Sequence, residues 1–570
     1  MNKKEVAAKL EEIGALMELA GENPFKTRSY YNAARTLNQV NEDLETLVQE
    51  KRLREIKGVG EAIAQKIEEL VTTGNLAFLE ELRAQFPDTI FEIMGIPGLG
   101  PKRVKAVYDE LGVDSLEKLE QACTAGQLAT LKGFSDKLQQ KVLDGIAFHR
   151  RHQGIHLYHH AEDVALPLRE YLIEHAAVQR IEIAGSLRRR KEVIKDIDFV
   201  ASSADPKAVM AHFVAWPDID HVTGQGDTKT SVVTNTGIAV DLRVVSDTEF
   251  PYALAHFTGS KEHNVAMRQR AKERKLKLNE YGLFKEDDTR IACTEEHDIH
   301  AALDLPYIPP ELREDMGEFA LKETPRLVTQ NDLRGVFHCH SNFSDGRNTL
   351  EEMAAAAQEC GYDYLVICDH SQSAAYAHGL TPDRVQEQHA AIDGVNKKLK
   401  DFRLVKGIES DIRTDGSLDY EDDILESFEF VVISVHNKLD MLEAEATARI
   451  IKAVEHPASD LLGHPSGRLL LTRAGYPLDY EKVFDACTAN GVAVEINANC
   501  HRLDLDWRYI RRAQEKGVKL AISPDAHDTA GLDYVRHGVG LARKGWLAPK
   551  DLLNCMTAKD LLAWRKSKHR

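Results

Sequence analysis

The pattern of hydrophobic and polar positions changes along the chain and predicts three kinds of structure. In residues 1–150 apolar positions recur with helical spacing, and glycine-containing turns separate the segments. Residues 151–315 combine short alternating runs, typical of half-buried strands, with helical segments. From Gly335 onward, apolar runs of strand length alternate with helices, which predicts a parallel α/β barrel. The chain is therefore predicted to be multidomain, with helical, α+β and α/β parts.

These changes divide the 570 residues into domains. A chain of this length is expected to contain several. We expect helical domains at 1–85 and 86–150, mixed domains at 151–250 and 251–315, a polar linker at 316–334, and the barrel at 335–570.

Composition narrows the class of protein. The hydrophobic fraction is 43%, and apolar runs fall short of the ~18–20 residues of a membrane span. The N-terminal stretch has the pattern of an amphipathic helix and lacks a signal-peptide core. The eight cysteines are scattered without a C-x-x-C pair, which favours a reducing compartment. We expect a cytoplasmic protein without a membrane partner, and we expect it to be monomeric.

The formal net charge of −18, taken alone, argues against a nucleic-acid-binding protein. Net charge hides distribution, however, and basic clusters at 188–191 and 268–277 offer local surfaces for a polyanion. Dense acidic residues are also what cation-binding sites contain.

Three aspartates on two strand-like runs form the first candidate site. Asp196 and Asp198 lie two residues apart in a half-buried strand, so their carboxylates project from the same face. Asp241 lies within a second apolar run at 238–245. Neighbouring carboxylates repel each other unless a cation lies between them. Three of them can hold two Mg²⁺ ions roughly 3.5–4 Å apart for nucleotidyl transfer. The alternative is a surface strand with ordinary ion pairs.

Gly185 and Ser186 precede these aspartates and suit a phosphate. Glycine lets the backbone come close to a triphosphate, and the serine hydroxyl with nearby N–H groups can bond its oxygens. A Gly-Ser pair alone is a weak signal. Followed at this distance by Asp-x-Asp and a further strand aspartate, it is much stronger.

Glycine turns in the helical part predict contacts with DNA. Each turn exposes backbone N–H groups at the start of a helix, which can bind a DNA phosphate without reading sequence. The residues are Gly58, Gly60, Gly98, Gly100, Lys102 and Arg103, with a degenerate third copy at 131–135. The alternative is a tight turn whose glycines only allow positive φ.

Together these motifs resemble the family X DNA polymerases, DNA polymerase beta and its relatives. The G-S, D-x-D and strand aspartate are similar to the nucleotidyltransferase palm, and the paired turns are similar to helix-hairpin-helix motifs. The run H-F-T-G-S at 256–260 is similar to the start of the thumb. The resemblance implies Mg²⁺ in the palm, and a monovalent cation is expected at the hairpin turns.

The same resemblance implies a nucleotide-binding set. Its members are Gly185, Ser186, Arg188, Arg189, His256, Phe257, Gly259, Asn264 and Arg268. Ser186 and Arg189 hold phosphate oxygens, Arg188 either does the same or faces the sheet, and the aromatic pair lies against the sugar. The asparagine contacts the base, and Arg268 contacts the template. His256 stands where DNA polymerase beta has a tyrosine, which bears on the exclusion of ribonucleotides.

Lys66 matches the position of the lyase lysine in DNA polymerase beta. A lysine there can form a Schiff base with an abasic sugar. The match around it is partial, because Ala62 stands where that protein has a lysine. The alternative is a solvated lysine on a helix, and lyase activity stays open.

In the second half, six strand-like runs end in residues that can bind a metal. These residues are His338, His340, Asp345, His370, Glu409, His436, His464, Asp525 and His527. In barrel enzymes the site lies at the C-terminal ends of the strands, so we expect the side chains to converge. Mixed imidazole and carboxylate ligands suit Mn²⁺, Zn²⁺ or Fe²⁺, and nine are enough for three ions. One histidine after a strand is commonly structural, but six such strands favour a metal centre.

The nine positions resemble the ligand set of the PHP superfamily, named for polymerase and histidinol phosphatase. The resemblance implies a distorted β/α barrel with Mn²⁺ or Zn²⁺ that hydrolyses phosphate esters. Beside a polymerase, it implies 3′→5′ exonuclease activity on a DNA 3′ end. Action as a 3′-phosphatase or abasic-site endonuclease stays open. Arg413, Lys438 and Arg502 are considered as phosphate contacts, with surface charge as the default.

A stretch at 151–160 contains four histidines. Clustered imidazoles can bind a transition metal. No carboxylate accompanies them, so we interpret the stretch as a linker or the start of a helix.

The two resemblances together imply a DNA-directed DNA polymerase that fills short gaps in repair. It would act on gapped or primer-template DNA with deoxynucleoside triphosphates. One alternative is a nucleotidyltransferase for RNA or a small molecule, fused to a phosphatase. Another is a DNA-binding scaffold with an inactive palm.

Overall fold

The computed structural model describes residues 1, 3–40, 42, 44–87 and 89–568. The chain divides into two compact units, Met1–Gln153 and Gly154–Arg570. Of the helices that the structure describes, none is both long enough and apolar enough to cross a membrane.

The described part of the first unit is helical. Its α-helices are α1 (Lys3–Leu19), α2 (Pro24–Gln39), α3 (Leu44–Gln49), α4 (Glu61–Thr73), α5 (Ala77–Arg83), α6 (Thr89–Met94), α7 (Pro101–Leu111), α8 (Leu116–Thr124) and α9 (Asp136–His152). Ser115 and Ser135 cap α8 and α9 by accepting a backbone N–H in the first turn. One apolar core lies among α1–α5 and a second mainly among α6–α9.

The second unit begins with a five-stranded sheet, the palm sheet. Its elements are β1 (His156–Leu157), α10 (Tyr158–Ile173), β2 (Arg180–Ile183), α11 (Gly185–Arg188), β3 (Val193–Ile194), β4 (Asp196–Ser202), α12 (Pro206–Phe213), β5 (Ile219–Gln225), β6 (Lys229–Thr234) and β7 (Ala239–Val245). The strand order is β2-β4-β7-β6-β5, and only the β4–β7 pair is parallel. β1 pairs separately with β3. α10 and α12 share one apolar core with the sheet.

A smaller antiparallel sheet follows, in the order β10-β9-β8. Its elements are α13 (Phe250–Thr258), α14 (Lys261–Glu273), β8 (Leu276–Asn279), β9 (Gly282–Lys285), β10 (Arg290–Ile291) and α15 (Glu296–Ala302). The buried side chains of Tyr252, Met267 and Leu283 join these elements in one core.

The segment at 316–334 differs from the polar linker that we expected, because it packs into the fold. Glu318 lies in a short 3-10 helix, Glu318–Ala320, and is fully buried. Its carboxylate accepts a hydrogen bond from Nδ1 of His263 at 2.8 Å. Leu327 and Val328 are buried as well. The polar composition of the segment reflects partners inside the fold.

The rest of the chain forms a seven-stranded parallel sheet in sequential order, wrapped by helices. Its elements are β11 (Gly335–Cys339), α16 (Leu350–Glu359), β12 (Tyr364–Ile367), α17 (Pro382–Asn396), β13 (Arg403–Asp411), α18 (Asp422–Glu426), β14 (Phe430–Ser434), α19 (Glu443–Val454), β15 (Leu461–Leu462), α20 (Tyr480–Asn490), β16 (Ala493–Asn497), α21 (Trp507–Glu515), β17 (Leu520–Ser523), α22 (Val535–Lys544) and α23 (Ala558–Lys568).

The first and last strands meet through a bridge between Cys339 and Ala526, so the barrel nearly closes. Phe337, Tyr364 and Phe430 fill its interior, while the helices pack their apolar sides outside. The strands are short and apolar because both of their faces are buried. The predicted fold class of helical, α+β and distorted barrel parts is confirmed.

Candidate active sites

The palm sheet brings Asp198 and Asp241 side by side as register partners on the parallel strands β4 and β7. Asp196 is the first residue of β4. Along both strands the aspartates alternate with buried apolar residues, so the three carboxylates share one face. The arrangement follows from the period-2 pattern of the two runs.

Negative charge accumulates at this face. Burial, followed by the charges of Asp196 and Asp241, raises the pKa of Asp198 to about 7. Lys229 on β6 offsets part of the charge, because its Nζ lies 2.8 Å from Oδ2 of Asp241. Among the described residues, the groups whose donor atoms lie within 4.8 Å of one another do not include all three aspartates. The carboxylates suit Mg²⁺ as hard oxygen ligands, and Lys229 competes with a cation for Asp241.

Gly185 lies against the aspartates. A Cβ there would be 2.1 Å from Oδ2 of Asp198, and φ is +61°. Only glycine fits this position without moving the carboxylate. We expected the backbone at Gly185 to come close to a triphosphate. In this structure it comes close to the carboxylate of Asp198. Ser186 follows in the same short helix, α11.

The two arginines expected at phosphate oxygens have partners inside the chain. Arg188 forms a two-point ion pair with Glu296, at 3.0 and 2.7 Å, and donates to Oγ1 of Thr258 at 2.6 Å. Arg189 donates to Glu314 at 3.0 Å and to the carbonyl of Thr258 at 2.5 Å. Both side chains therefore fix the turn that begins the T-G-S run.

The residues that resemble the thumb of the family, from His256 to Arg268, begin beside β7. The rings of His256 and Phe257 meet edge to face at 4.9 Å, and Arg243 of β7 lies 4.2 Å from the centre of the Phe257 ring. Asn264 donates to the carbonyl of His256 at 2.7 Å. Arg268 lies one turn later on α14. Burial lowers the pKa of His256, with Arg268 among the nearby charges that contribute.

The two glycine turns share one backbone geometry. Gly58 and Gly98 have φ of +88° and +94°. Gly60 and Gly100 are extended N-caps of α4 and α7, with φ of −82° and −80°. A Cβ at either N-cap would meet no described atom within 4 Å. The copy at 131–135 repeats the positive φ at its glycine, +87°, and an extended N-cap.

Two basic residues follow the second turn, and only the second of them is hydrogen-bonded to the turn. The side chain of Lys102 is 80% exposed, with its Nζ 3.5 Å from Glu18. Arg103 donates to the carbonyl of Gly98 at 2.8 Å, so it braces the turn.

Lys66 lies in the middle of α4 and is half-buried. Its Nζ is 4.5 Å from the ring centre of Phe78 and donates to the carbonyl of Ala62 at 3.4 Å. These are ordinary helix contacts, and the lyase role stays a prediction.

The nine barrel residues lie together at the C-terminal ends of the strands. Four overlapping groups have donor atoms within 4.8 Å of one another: His340, Asp345, His370 and His527; His338, His464 and Asp525; His338, His340 and Glu409; His370, Glu409 and His436. Because neighbouring groups share members, they form one continuous centre, which we call the barrel centre.

Glu409 lies in the middle of the barrel centre. Its Oε1 is 3.1 Å from Nε2 of His338, His436 and His464. Its Oε2 is 2.8 Å from Nδ1 of His370, without hydrogen-bond geometry. Burial opposes ionisation, but the imidazoles of His436, His338 and His370 hold the pKa of Glu409 well below its usual range.

Several donor atoms of the barrel centre are buried and unpaired. Among the described residues, Nε2 of His338 and both ring nitrogens of His340 have no hydrogen-bond partner. Burial, with the neighbouring His527 and His370, lowers the pKa of His340 to about 3, so its ring is neutral and offers a lone pair. A buried polar atom without a partner costs about 1–3 kcal/mol. Metal cations would satisfy these atoms, and the donor set fits Mn²⁺ or Zn²⁺.

Two supporting carboxylates were missed by reasoning from the sequence. Glu495 accepts from Nδ1 of His338 at 2.6 Å, and Asp411 accepts from Nδ1 of His436 at 2.5 Å. Each carboxylate fixes which ring nitrogen faces the centre. Glu495 could have been found as a lone acid within a buried apolar strand, and Asp411 as the next same-face residue after Glu409.

Of the three basic residues considered as phosphate contacts, Arg502 lies at the barrel centre. Its Nε is 3.5 Å from Oδ2 of Asp525. Arg413 pairs with Asp419 at 3.3 Å, and Lys438 pairs with Glu445.

Four family models match parts of the chain. They describe a helix-hairpin-helix domain (residues 1–76), a SAM-like helix-hairpin-helix tandem (90–147), a DNA polymerase beta thumb (253–314) and a PHP domain (337–499). A solved structure of Leishmania infantum polymerase beta, a ternary P/T complex, covers 40% of this chain and 98% of its own at 26% identity. Its TM-score of 0.27 is too low to support an inference.

Curated relatives match both the whole chain and the barrel alone. The DNA polymerase/3′-5′ exonuclease PolX of Bacillus subtilis is 36% identical over 570 residues, which cover 99% of this chain and all of that protein. A probable phosphatase of Thermoanaerobacter is 28% identical over 209 residues, covering 33% of this chain and 77% of its own. The chain belongs to the bacterial family X DNA polymerases that carry a C-terminal PHP domain.

Proposed function

We propose that this chain fills short gaps in DNA during repair and hydrolyses DNA 3′ ends at its barrel. The observation that carries the proposal is the presence of two separate cation-suited sites, the palm carboxylates and the barrel centre, in one chain. The full-length match to a protein named as a polymerase and exonuclease supports it. That match favours a DNA polymerase over a nucleotidyltransferase for RNA and over an inactive scaffold.

In the palm, Asp196, Asp198 and Asp241 would hold Mg²⁺. Bound there, Mg²⁺ activates the primer 3′-OH and neutralises charge on the triphosphate. Gly185 leaves room for the Asp198 carboxylate, and Ser186 donates to a phosphate oxygen. Lys229 releases Asp241 when a cation is present.

The remaining nucleotide contacts would come from the thumb. His256, Phe257 and Gly259 line the sugar, Asn264 contacts the base, and Arg268 contacts the template. Arg188 and Arg189 position the turn at Thr258, and Arg189 can reach a phosphate only by leaving Glu314.

The helical domains would hold the DNA. The turns at Gly58–Gly60 and Gly98–Gly100 present N–H groups to phosphates, and Lys102 adds a mobile positive charge. We propose domains at 1–85, 86–150, 151–250 and 251–315, followed by the barrel. A monovalent cation at the turns, a monomeric state, a cytoplasmic location and a lyase role for Lys66 belong to the same proposal.

In the barrel, the nine residues of the barrel centre would hold Mn²⁺ or Zn²⁺, up to three ions. Such ions supply an activated nucleophile and stabilise charge that develops on phosphorus. Glu495 and Asp411 hold the rings of His338 and His436 in place. Arg502 lies where it can bond a non-bridging phosphate oxygen.

Two variants of the full chain test the proposal on a one-nucleotide gap and on a mispaired 3′ end. Asp198→Asn should abolish incorporation and spare hydrolysis, and His340→Ala should do the reverse. Asp220→Asn, at an exposed palm position, and His456→Ala, paired with Asp422 outside the barrel centre, are matched controls. Full incorporation by Asp198→Asn would refute the palm assignment. Loss of both activities in His340→Ala would refute two independent sites.

A further inference from the structure

A third group of metal-binding side chains lies outside both sites. The group consists of His159, Cys500 and His501. Each residue offers one donor atom, and these three atoms lie within 4.8 Å of one another. His159 is in the first turn of α10, whereas Cys500 and His501 belong to the loop after β16. His159 belongs to the histidine-rich stretch at 151–160, which contains no carboxylate. In the fold, the thiol of Cys500 and the imidazole of His501 lie beside His159 instead.

His159 has a donor atom that lacks a partner. Its Nδ1 is buried and, among the described residues, accepts and donates no hydrogen bond. Burial, followed by the charges of His160 and His501, lowers the pKa of His159 to about 3. The ring is therefore neutral at physiological pH, which is the form that binds metals. A buried nitrogen of this kind is destabilising unless a cation or a proton donor reaches it.

We propose that His159, Cys500 and His501 bind a single transition-metal cation, for which Zn²⁺ is the best match. Zn²⁺ binds cysteine thiolates and histidine imidazoles and usually takes four ligands, so a fourth position remains for water or another ligand. His501 is exposed, so the ion has a path from solvent. The site shares no residue with the barrel centre and differs from it in having sulfur.

The surrounding charges permit a cation. The charge of Arg536 lowers the pKa of both His159 and Cys500. Its guanidinium is already paired with Glu162 and, at 2.7 Å, with Asp533. Burial raises the pKa of Cys500 to about 11, so binding releases a proton from the thiol and should strengthen as pH rises.

An ion here would join the palm to the barrel. It would tie α10, which packs against the palm sheet, to the loop that continues into Arg502. Because Arg502 lies 3.5 Å from Asp525, fixing the loop would also fix a basic side chain at the barrel centre. The ion would therefore have a structural role, because it would cross-link the palm and the barrel.

Co²⁺ is the probe that separates this site from the barrel centre, whose nine residues offer only nitrogen and oxygen. A thiolate ligand adds a sulfur-to-cobalt charge-transfer band in the near ultraviolet. Titrating Co²⁺ into the full chain should produce this band, with a final amplitude that corresponds to one thiolate-bound ion per chain. Excess Zn²⁺ should remove it.

Three variants make the test specific. Cys500→Ser should abolish the band, and His501→Gln, at an exposed position, should weaken Co²⁺ affinity at this site at least tenfold. Cys360→Ser removes an exposed cysteine elsewhere and should keep the wild-type band. Visible absorption from Co²⁺ in the barrel centre should persist in all three, which shows that they are folded. A wild-type chain without the band, or a band that survives Cys500→Ser, would overturn the proposal.

Discussion

Trp507 donates its indole N–H to Glu192 across 2.9 Å, which joins the barrel to the palm. Arg508 pairs with the same carboxylate at 3.2 Å. Glu192 is buried and directly precedes β3, which is followed by β4, the strand that begins at Asp196. Lys544, also from the barrel, donates to the carbonyl of Arg189 at 3.0 Å. The barrel therefore supports the segment that positions the palm carboxylates.

We expect Trp507→Phe to lower the free energy of unfolding by about 1.5–3 kcal/mol, the usual contribution of a hydrogen bond to a charged group. An aromatic ring remains at position 507, although it is smaller than the indole over which Lys544 lies at 4.4 Å. Chemical denaturation measures the change. Trp564→Phe, on α23 against the barrel interior, is the control and should cost less. Equal costs for the two variants would show that the bond to Glu192 adds no stability.

Gly185→Ala tests whether this glycine makes room for a carboxylate. The added methyl group would lie 2.1 Å from Asp198. A displacement of about 1 Å should lower incorporation roughly 10²-fold while hydrolysis of 3′ ends continues. Primer extension on a one-nucleotide gap gives the readout.

Gly237→Ala is the matched control for that variant. Gly237 also has positive φ, +80°, but a Cβ there meets no described atom within 4 Å. This variant should lose only the stability that backbone strain costs, about 1–2 kcal/mol. It should retain most of the nucleotide-incorporation activity. Similar losses in both variants would assign the effect to strain and not to Asp198.

The palm aspartates and the barrel ligands could be predicted because their positions depend on local patterns. Alternation within a strand puts Asp196 and Asp198 on one face, and Asp241 follows from a second run of the same kind. The barrel ligands follow from the rule that parallel strands end at a common rim. Neither inference depends on contacts between residues that are far apart in the sequence.

What could not be predicted depends on contacts between distant parts of the chain. The sequence leaves Arg188 between a phosphate contact and a position facing the sheet, and in the fold it pairs with Glu296. Glu318 belongs to a segment predicted to be a linker, yet it is buried against His263. A charged residue has the same sequence signature whether its partner is water, a ligand or a residue far along the chain.

Asp411→Asn tests the support of a barrel ligand. The variant keeps an oxygen near Nδ1 of His436 but loses the charge that fixes the ring. We expect metal affinity and 3′-end hydrolysis to fall about 10–100-fold, with gap filling unchanged. Excess Mn²⁺ should restore much of the hydrolysis. Asp415→Asn, whose side chain is 63% exposed, is the control. A loss that excess Mn²⁺ does not restore would point to disruption of the barrel instead.

Glu296 holds two arginines where the palm meets the thumb. Its carboxylate lies 2.6 Å from NH1 of Arg313 and 2.7 Å from NH2 of Arg188, and Arg313 is only 1% exposed. Burial raises the pKa of Glu296, but Arg313 and Arg188 outweigh it and hold the pKa far below its usual range. Glu296→Gln would leave a buried arginine without its counter-charge, which costs about 3–5 kcal/mol.

The pH dependence of that cost follows from the depressed pKa. The stabilisation is fully present above the ordinary glutamate pKa of about 4.3 and is lost as pH falls below it toward the folded value. Wild type and Glu296→Gln should therefore differ by a constant free energy of unfolding in chemical denaturation between pH 7 and about pH 5.5. The difference should shrink below about pH 4. Glu182→Gln, on β2, with a side chain that is 47% exposed and paired with Arg169 at 3.3 Å, is the control and should cost under about 1 kcal/mol. A difference that stayed constant through the acid range would mean that the ion pair is not its source.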